Sequence, residues 1–326
     1  MQQDRMEISN LESIEPDEIQ RFGGKAVNLA KLHSIGVNVP NGYAISGIVY
    51  SQFFDGIPKK KKLLDVLETS EDLEEIFRCS TKLEQLGNEH GVSNHFRKQI
   101  ALAQDVLESK RSMQIGYAIR SSATIEDGKQ FSFAGQAVTS LCVTGTENII
   151  DSVKKTWLSI LAPTAVMYLR SMGILLSQVQ MGVVVQEMVP ADVSGVMFTA
   201  NVTTNDVSQM IIESTWGLGE TLVSGKVKPD SYILKKNPIR IEREQIGTKE
   251  VYCFPGTDGE GVLNRETPIE KQSMSSLDND QLMRIAEIGI ALEQEFGCPQ
   301  DIEWCLKGDD IIIVQTRPIT TLRNDF

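Results

Sequence analysis

Residues 301–316 read DIEWCLKGDDIIIVQT, and this stretch decides the fold at the end of the chain. Two segments, 301–306 and 310–316, alternate or accumulate apolar side chains as strands do. Between them lie Gly308 and Asp309, residue types that are typical of a tight turn joining two antiparallel strands. The stretch therefore predicts a β-hairpin.

The predicted hairpin carries polar side chains at regular spacing. Because side chains alternate between the two faces of a strand, Asp301 and Glu303 share a face, and Gln315 and Arg317 share a face of the next strand. Mg²⁺ prefers oxygen ligands and usually takes only one or two from the protein. A Glu303–Gln315 pair beside Arg317 fits that preference, although cross-strand polar pairing on a solvated face explains the same pattern.

Upstream, Arg120 lies toward the end of the predicted strand IGYAIRSSA (115–123). Its planar guanidinium suits bidentate recognition of phosphate, but a structural ion pair with Glu126 or Asp127 is an equal alternative. The following SFAGQ (132–136) includes Gly135 in a loop of small residues. Such a loop exposes backbone N–H groups to phosphate oxygens, and it is also compatible with an ordinary hairpin turn.

The sequence GGK at 23–25 places Lys25 directly after two glycines and at the start of a predicted helix. Glycines allow close approach of a ligand to the backbone, and the lysine offers a compact positive charge. A helix start with a surface lysine is the simpler interpretation. Neither a Walker A loop nor a dinucleotide GxGxxG fingerprint is present, since the glycines at 217–225 have the wrong spacing for both.

Helical and strand patterns alternate irregularly along the chain, which favours the α+β class. The following segments are predicted: helices over 21–35, 63–110, 148–172 and 277–296, and strands over 115–123, 137–143, 181–189, 194–201 and 210–216. A boundary between two lobes is expected near residues 189–192, where a strand runs into Pro190.

The composition excludes several classes of protein. The 326 residues carry a net charge of −12, which disfavours nucleic-acid binding because that affinity depends on neutralising phosphates. No apolar run has the length of a membrane helix, and the acidic N-terminus lacks the apolar core of a secretory signal. The five cysteines lack zinc-site spacing and indicate reduced thiols in the cytoplasm.

In combination, these motifs resemble the ATP-binding domain shared by phosphoenolpyruvate synthase, pyruvate phosphate dikinase and rifampin phosphotransferase. The matching stretches follow the family's order and cover nearly the whole chain: 23–32, 39–46, 118–136, 183–201, 213–232 and 301–322. The resemblance implies a bilobal ATP-grasp fold with nucleotide in the cleft between the lobes. An N-terminal lobe would span 1–188, with a helical insertion at about 60–110, and a C-terminal lobe with the metal-binding hairpin would span 189–326.

The resemblance also assigns roles to residues. Lys25, Arg120 and Arg317 correspond to phosphate-binding and catalytic cations. Gly135 belongs to the loop over the phosphates. ATP would further be contacted by five residues of the family's site: Gln186, Glu187, Val189, and the Mg²⁺ ligands Glu303 and Gln315.

In this family ATP is split to AMP and phosphate, and the β-phosphoryl group passes to a histidine on a separate swivelling domain and then to an acceptor. The chain carries neither that phosphohistidine domain nor an acceptor-binding domain, so we expect it to be incomplete as an enzyme by itself. The acceptor would be pyruvate, an antibiotic hydroxyl or another small molecule. An autonomous ATP-grasp ligase and a regulatory nucleotide-binding module without catalysis are the alternatives.

Overall fold

The computed structural model describes residues 7–109, 115–123, 139–256 and 261–322. The chain divides into two compact units. Unit 1 comprises Met1–Lys31 and Asn41–Glu187, and unit 2 comprises Leu32–Pro40 and Met188–Phe326. Both units combine helices with an antiparallel sheet, so the predicted α+β class is confirmed at that level.

Unit 1 contains five strands and eight helices among its described residues. In chain order they are β1 (Ile8–Asn10), α1 (Ile19–Phe22), α2 (Gly24–Ser34, whose end extends into the unit 2 segment), β2 (Gly42–Ile45), α3 (Gly47–Asp55), α4 (Lys60–Thr69), α5 (Leu73–Glu89), α6 (Asn94–Ser109), β3 (Tyr117–Ala123), β4 (Ser140–Val143), α7 (Thr146–Leu158), α8 (Pro163–Ser171) and β5 (Met181–Glu187). The helical prediction over 63–110 corresponds to α4, α5 and α6. The prediction of a single helix over 148–172 is wrong, because α7 ends in a 3₁₀ turn at Ser159–Leu161 and a second helix, α8, starts at Pro163. Proline has no N–H with which to continue the preceding helix.

The unit 1 sheet has the strand order β1-β2-β5-β3-β4. One face is packed by helices: Val183 and Val185 of β5 join the core that surrounds the buried Trp157 of α7. The alternate residues, Val184 and Gln186, therefore point to the opposite face. That opposite face also carries Arg120, which pairs with Val184 in the register of β3 and β5.

Unit 2 contains eight strands and three helices among its described residues. They are β6 (Val193–Phe198), β7 (Gln209–Trp216), α9 (Glu220–Val223), β8 (Asp230–Lys236), β9 (Ile239–Gln245), β10 (Val251–Pro255), β11 (Val262–Glu266), α10 (Ile269–Gln272), α11 (Asn279–Phe296), β12 (Gln300–Lys307) and β13 (Asp310–Pro318). The predicted helix over 277–296 is α11. It ends at Gly297, whose φ of +68° is the left-handed conformation that glycine adopts at helix ends.

Six of these strands form a sheet in the order β13-β12-β6-β7-β8-β9. The long helix α11 packs on one face, where Gly289 lies so close to Met197 that an added Cβ would be 2.5 Å from its sulfur. Met197, Ile212 and Ile302 are fully buried on this side. We call the other side, which carries Glu303 and its cross-strand neighbours, the polar face.

A segment from the N-terminal part of the chain covers the edge of this sheet. Ile313 of β13 donates a backbone hydrogen bond to Asn38 O (2.9 Å), and Asn38 Nδ2 donates to Ile311 O (3.3 Å). The edge strand β13 is therefore paired along part of its outer side.

Of the helices in the described ranges, none combines the length and the apolar character needed to cross a bilayer. All five cysteines are free thiols, as expected from their spacing.

Candidate functional site

The predicted hairpin forms, and its register brings the polar side chains together. Glu303 of β12 lies directly opposite Gln315 of β13, and Asp301 lies opposite Arg317. The register shifts at Glu303 and Trp304, so the bulge places one extra residue, Val314, between the two halves of the hairpin. Bulges of this kind re-aim side chains and are frequent beside functional sites.

Arg317 makes a two-donor contact with Asp301. Its Nε and Nη2 atoms both lie 2.9 Å from Asp301 Oδ2. Burial nevertheless raises the pKa of Asp301, because the effect of burial is larger than the opposing effect of Arg317. The nearby Glu303 raises that pKa further. The charged form of Asp301 is therefore costly at this partly buried position unless a cation lies close, and Arg317 supplies one.

The alternation within DIEW explains how these carboxylates are presented. Ile302 and Trp304 are buried on the α11 side, while Asp301 and Glu303 are half-buried on the polar face. Trp304 lies against Gly195 of β6, where an added Cβ would be 2.1 Å from the indole ring. The apolar half of the motif thus anchors β12 and holds the acidic half in register.

These residues fit a magnesium ion as far as donor chemistry is concerned. Glu303 supplies a carboxylate, and Gln315, which is 7% exposed, supplies an amide oxygen. In the ranges that the structure describes, no group of three or more His, Cys, Asp or Glu side chains is arranged to bind a metal. A metal here would therefore complete its coordination with water and ligand oxygens, which is the usual arrangement for Mg²⁺.

In unit 1 the start of α2 is docked against β3. Ala26 N donates to Ser122 Oγ (3.1 Å), and Lys25 Nζ donates to Ser121 O (2.7 Å). Gly23 adopts a φ of +82° immediately before the helix, and a Cβ at this position would lie 1.9 Å from Ser122 O. Glycine is therefore required for this approach, which places Lys25 beside β3.

Arg120 lies on the same face of the sheet as this docked helix start. Ser122 points toward α2, and Arg120, two residues earlier on β3, shares its face by alternation. The strand brings Lys25 and Arg120 to one side of the unit 1 sheet, next to the positive N-terminal end of α2. Glu126 and Asp127, the alternative partners of Arg120, lie outside the described residues, as does Gly135 of the predicted phosphate loop.

The segment that leads out of β5 contains the remaining predicted residues. Gln186 is 1% exposed, and the Glu187 backbone N–H donates to Asn41 O (2.8 Å). The Glu187 carboxylate also accepts a hydrogen bond from Asn41 Nδ2 (3.3 Å). Two residues later, Val189 O accepts from Ala191 N (2.8 Å). The chain therefore leaves β5 through backbone that is held by local hydrogen bonds.

The structure reveals a further carboxylate that the sequence analysis did not single out. Glu213 of β7 lies opposite Val196 of β6, which in turn lies opposite Glu303. Directly opposed residues of an antiparallel sheet point to the same side, so Glu213 belongs to the polar face. The sequence signal for Glu213 was an acidic residue among the apolar residues of MIIEST (210–215). Its position opposite Val196 and Glu303 depends on the order of the strands, which the sequence did not predict.

The chain matches the family profile described as the pyruvate phosphate dikinase, AMP/ATP-binding domain, over residues 19–326. It is 36% identical over 325 residues to a rifampicin phosphotransferase of Bacillus cereus. The aligned region covers 97% of this chain and 36% of that protein. It is also 33% identical over 318 residues to a probable phosphoenolpyruvate synthase of Methanothermobacter thermautotrophicus, covering 97% of this chain and 46% of that protein. A rifampicin phosphotransferase of Bacillus subtilis is 36% identical over 318 residues. The chain thus spans between about a third and a half of the length of these relatives.

Proposed function

Because the chain belongs to the pyruvate phosphate dikinase AMP/ATP-binding domain family, we propose that it binds Mg-ATP and supplies the nucleotide half of a dikinase-type phosphotransfer. The observation that carries this proposal is the hairpin: Glu303 faces Gln315, and Arg317 lies two residues further along β13, opposite Asp301. We propose further that the two units are the lobes of an ATP-grasp fold, with boundaries near residues 188 and 189. One ATP would then take its ligands from both units.

The cations would bind the triphosphate. In unit 1, Lys25 and Arg120 share one face of the sheet with the N-terminus of α2, where backbone N–H groups favour an anion. In unit 2, Arg317 presents a planar donor fork, which matches phosphate oxygens as well as the Asp301 carboxylate that it contacts here. Phosphoryl transfer depends mostly on positioning and charge stabilisation, which are the functions of such groups. Gly135 would contribute backbone N–H from the small-residue loop.

The adenine would lie along the segment 186–189. The Glu187 carbonyl and the Val189 N–H match the amino donor and the ring-nitrogen acceptor of adenine. The buried Gln186 would add a side-chain amide.

Glu303 and Gln315 would hold Mg²⁺. When bound, the ion would neutralise part of the negative charge of the phosphates. The half-buried carboxylates of Asp301 and Glu303, which share one face of β12, support this assignment, since such a pair favours a nearby cation.

The reaction would consume ATP and water and would yield AMP, inorganic phosphate and a phosphohistidine. The β-phosphoryl group would be transferred to a histidine nitrogen on a swivelling domain or partner, and from there to pyruvate, an antibiotic hydroxyl or another small acceptor. Two of the matched relatives carry names that indicate such acceptors, rifampicin in one case and the phosphoenolpyruvate precursor in the other. Such a reaction fits a cytoplasmic location, and the five free thiols agree with it.

Calorimetric titration with ATP, with and without Mg²⁺, tests the binding site. We expect binding that depends on Mg²⁺ and that weakens at least ten-fold in Glu303→Ala and in Arg120→Ala, since each removes a charged contact. Glu287→Ala is the matched control for the first variant, because Glu287 is an exposed glutamate on α11, on the other side of the same sheet. Arg78→Ala, an exposed arginine of α5, is the control for the second.

Absence of ATP binding by the unmodified chain, or equal binding by Glu303→Ala and Glu287→Ala, would reject the proposed site. The products then separate the alternatives. AMP formed only with a histidine-bearing partner supports the dikinase reaction, whereas ADP formed with a carboxylate substrate supports a ligase. Binding without turnover under any pairing supports a regulatory module.

A further inference from the structure

Glu213 occupies a defined place on the polar face of unit 2. The row that runs across the sheet reads Gln315, Glu303, Val196, Glu213, with each residue directly opposite the next. Neighbouring strands lie about 4.8 Å apart, so the Cα atoms of Glu213 and Glu303 are separated by about 10 Å. Both side chains project from the same side of the sheet.

The Glu213 carboxylate is half-buried, and within the described part of the chain it forms no hydrogen bond or ion pair. Burial raises its pKa, which means that the charged form is costly in the folded protein. A partly buried carboxylate without a partner does not stabilise the fold. Its position is better explained by a ligand that brings hydrogen-bond donors.

The surroundings of Glu213 indicate what kind of ligand this is. Burial is the only cause of the pKa shift, and no neighbouring charge contributes to it. In contrast, the carboxylate of Asp301 interacts with both Glu303 and Arg317. Glu213 lies two strands away from Glu303, with Val196 between them, so its position suits a different part of the ligand from the metal-bound part, and a carboxylate there can accept hydrogen bonds from hydroxyls.

The surface between Glu213 and the hairpin is apolar. Val196 separates the two glutamates, and Phe198 and Ile211 form the next cross-strand pair on the same face. All three are half-exposed, so they provide a floor across which a ligand can lie.

Resting on the proposed function, we infer that Glu213 is the residue that binds the ribose hydroxyls of ATP. A carboxylate accepts hydrogen bonds from two adjacent hydroxyls at once, and a charged acceptor makes these bonds stronger than neutral ones. Its strand, β7, neighbours β6, which begins four residues after Val189 in the segment assigned to adenine. With the phosphates at Glu303, Gln315 and Arg317, the ribose is the part of the nucleotide left for Glu213.

A double-mutant cycle tests the inference by pairing a protein change with a ligand change. The affinities of ATP and of 2′,3′-dideoxy-ATP are measured for the unmodified chain, Glu213→Ala and Glu287→Ala in the presence of Mg²⁺. We expect the unmodified chain and the control to bind ATP at least ten-fold more tightly than the dideoxy analogue. In Glu213→Ala this preference should be lost, with ATP weakened to the level of the analogue.

The isosteric variant Glu213→Gln provides a second measurement, since it keeps the shape of the side chain and removes the charge. We expect it to reduce the preference for ATP without loss of folding. A preference that persists in both variants would overturn the inference while leaving the proposed function intact. A changed Mg²⁺ dependence in the variants would also overturn it, because Glu213 would then be a metal ligand. If the unmodified chain binds neither nucleotide, the proposed function fails and the inference fails with it.

Discussion

Gly23 shows how a single residue positions the start of α2. Its φ of +82° and the 1.9 Å separation between a hypothetical Cβ and Ser122 O leave no space for a side chain. We predict that Gly23→Ala destabilises the protein by more than about 2 kcal/mol and weakens ATP binding, because Lys25 follows directly on this contact. Thermal unfolding and calorimetry measure both effects.

Gly36 offers the matched control, because it also has a positive φ (+78°) beyond the other end of α2 but has no atom within 4 Å of a hypothetical Cβ. Gly36→Ala should cost only about 1 kcal/mol and leave ATP affinity unchanged. Equal effects of the two variants would show that the contact with β3 does not matter.

Glu213 illustrates a conflict between stability and the inferred binding role. Its raised pKa means that the ionised form destabilises the fold at neutral pH. We predict that Glu213→Gln raises the melting temperature at pH 7. The gain should shrink as the pH falls toward 4.5, the ordinary pKa of glutamate, because the native protein then takes up the proton. Glu287→Gln, at an exposed position, should show no such pH dependence, and a Glu213→Gln gain that is constant with pH would contradict the prediction.

The positions of site residues were predictable from the sequence where a motif places them on strands joined by a short turn. Glu303 and Gln315 were expected to face one another because a short turn joins their strands, and the register confirms this pairing. The contact between Gly23 and Ser122 was not predictable, since the two are almost 100 residues apart. The same limit applies to Glu213, which meets Glu303 only through the intervening strand β6.

Among the elements, the β12–β13 hairpin is tied to the segment that precedes β6. Asp192 Oδ1 accepts from Lys307 Nζ (2.9 Å), and Oδ2 accepts from Gly308 N (2.9 Å) in the turn. The hydrogen bond from Gly308 is the main cause of the lowered pKa of Asp192, and Lys307 lowers it further. The contact is exposed, so its contribution is modest.

We predict that Asp192→Ala lowers the stability by about 1 kcal/mol at pH 7. A carboxyl whose folded pKa is lowered contributes its stability above the unfolded pKa of 3.8 and loses it as the pH falls through the folded value. The difference between the variant and the unmodified chain should therefore close below about pH 4 in thermal melts. Asp310→Ala, at an exposed position on β13, serves as the control. A difference that persists at low pH would show that the side chain acts through packing rather than charge.

Element boundaries were predicted well where the pattern was long or ended at glycine. The helix ending at Gly297 and the strand of β5 follow the expected ranges. The spacing of apolar residues did not predict the break between α7 and α8 within 148–172. The apolar pattern continues through Pro163, whereas the helical backbone is interrupted before it. The strands β8 to β11 went unpredicted, since β9 and β11 are mostly exposed and charged and lack the alternation of a half-buried strand.

For the whole molecule, the proposed site makes a prediction about the two units. A ligand that binds only the native state stabilises it by about 2.7 kcal/mol at one hundred times its Kd. If ATP draws on both units, Mg-ATP should slow amide exchange in β3 of unit 1 and in β12 of unit 2. Arg120→Ala should reduce the protection in both, although it changes only unit 1. Protection confined to one unit would contradict a shared ligand.

The segment around Asn38 has a consequence for the order in which the chain is built. Its partner at Ile311 lies 273 residues further along. At roughly 5–20 residues per second, the ribosome would release the two partners between about fifteen seconds and about a minute apart. During that interval the segment around Asn38 lacks the β13 strand with which it pairs in the folded protein. A fragment that begins at residue 188 would lack this strand cover altogether, leaving an open edge of the kind that promotes aggregation.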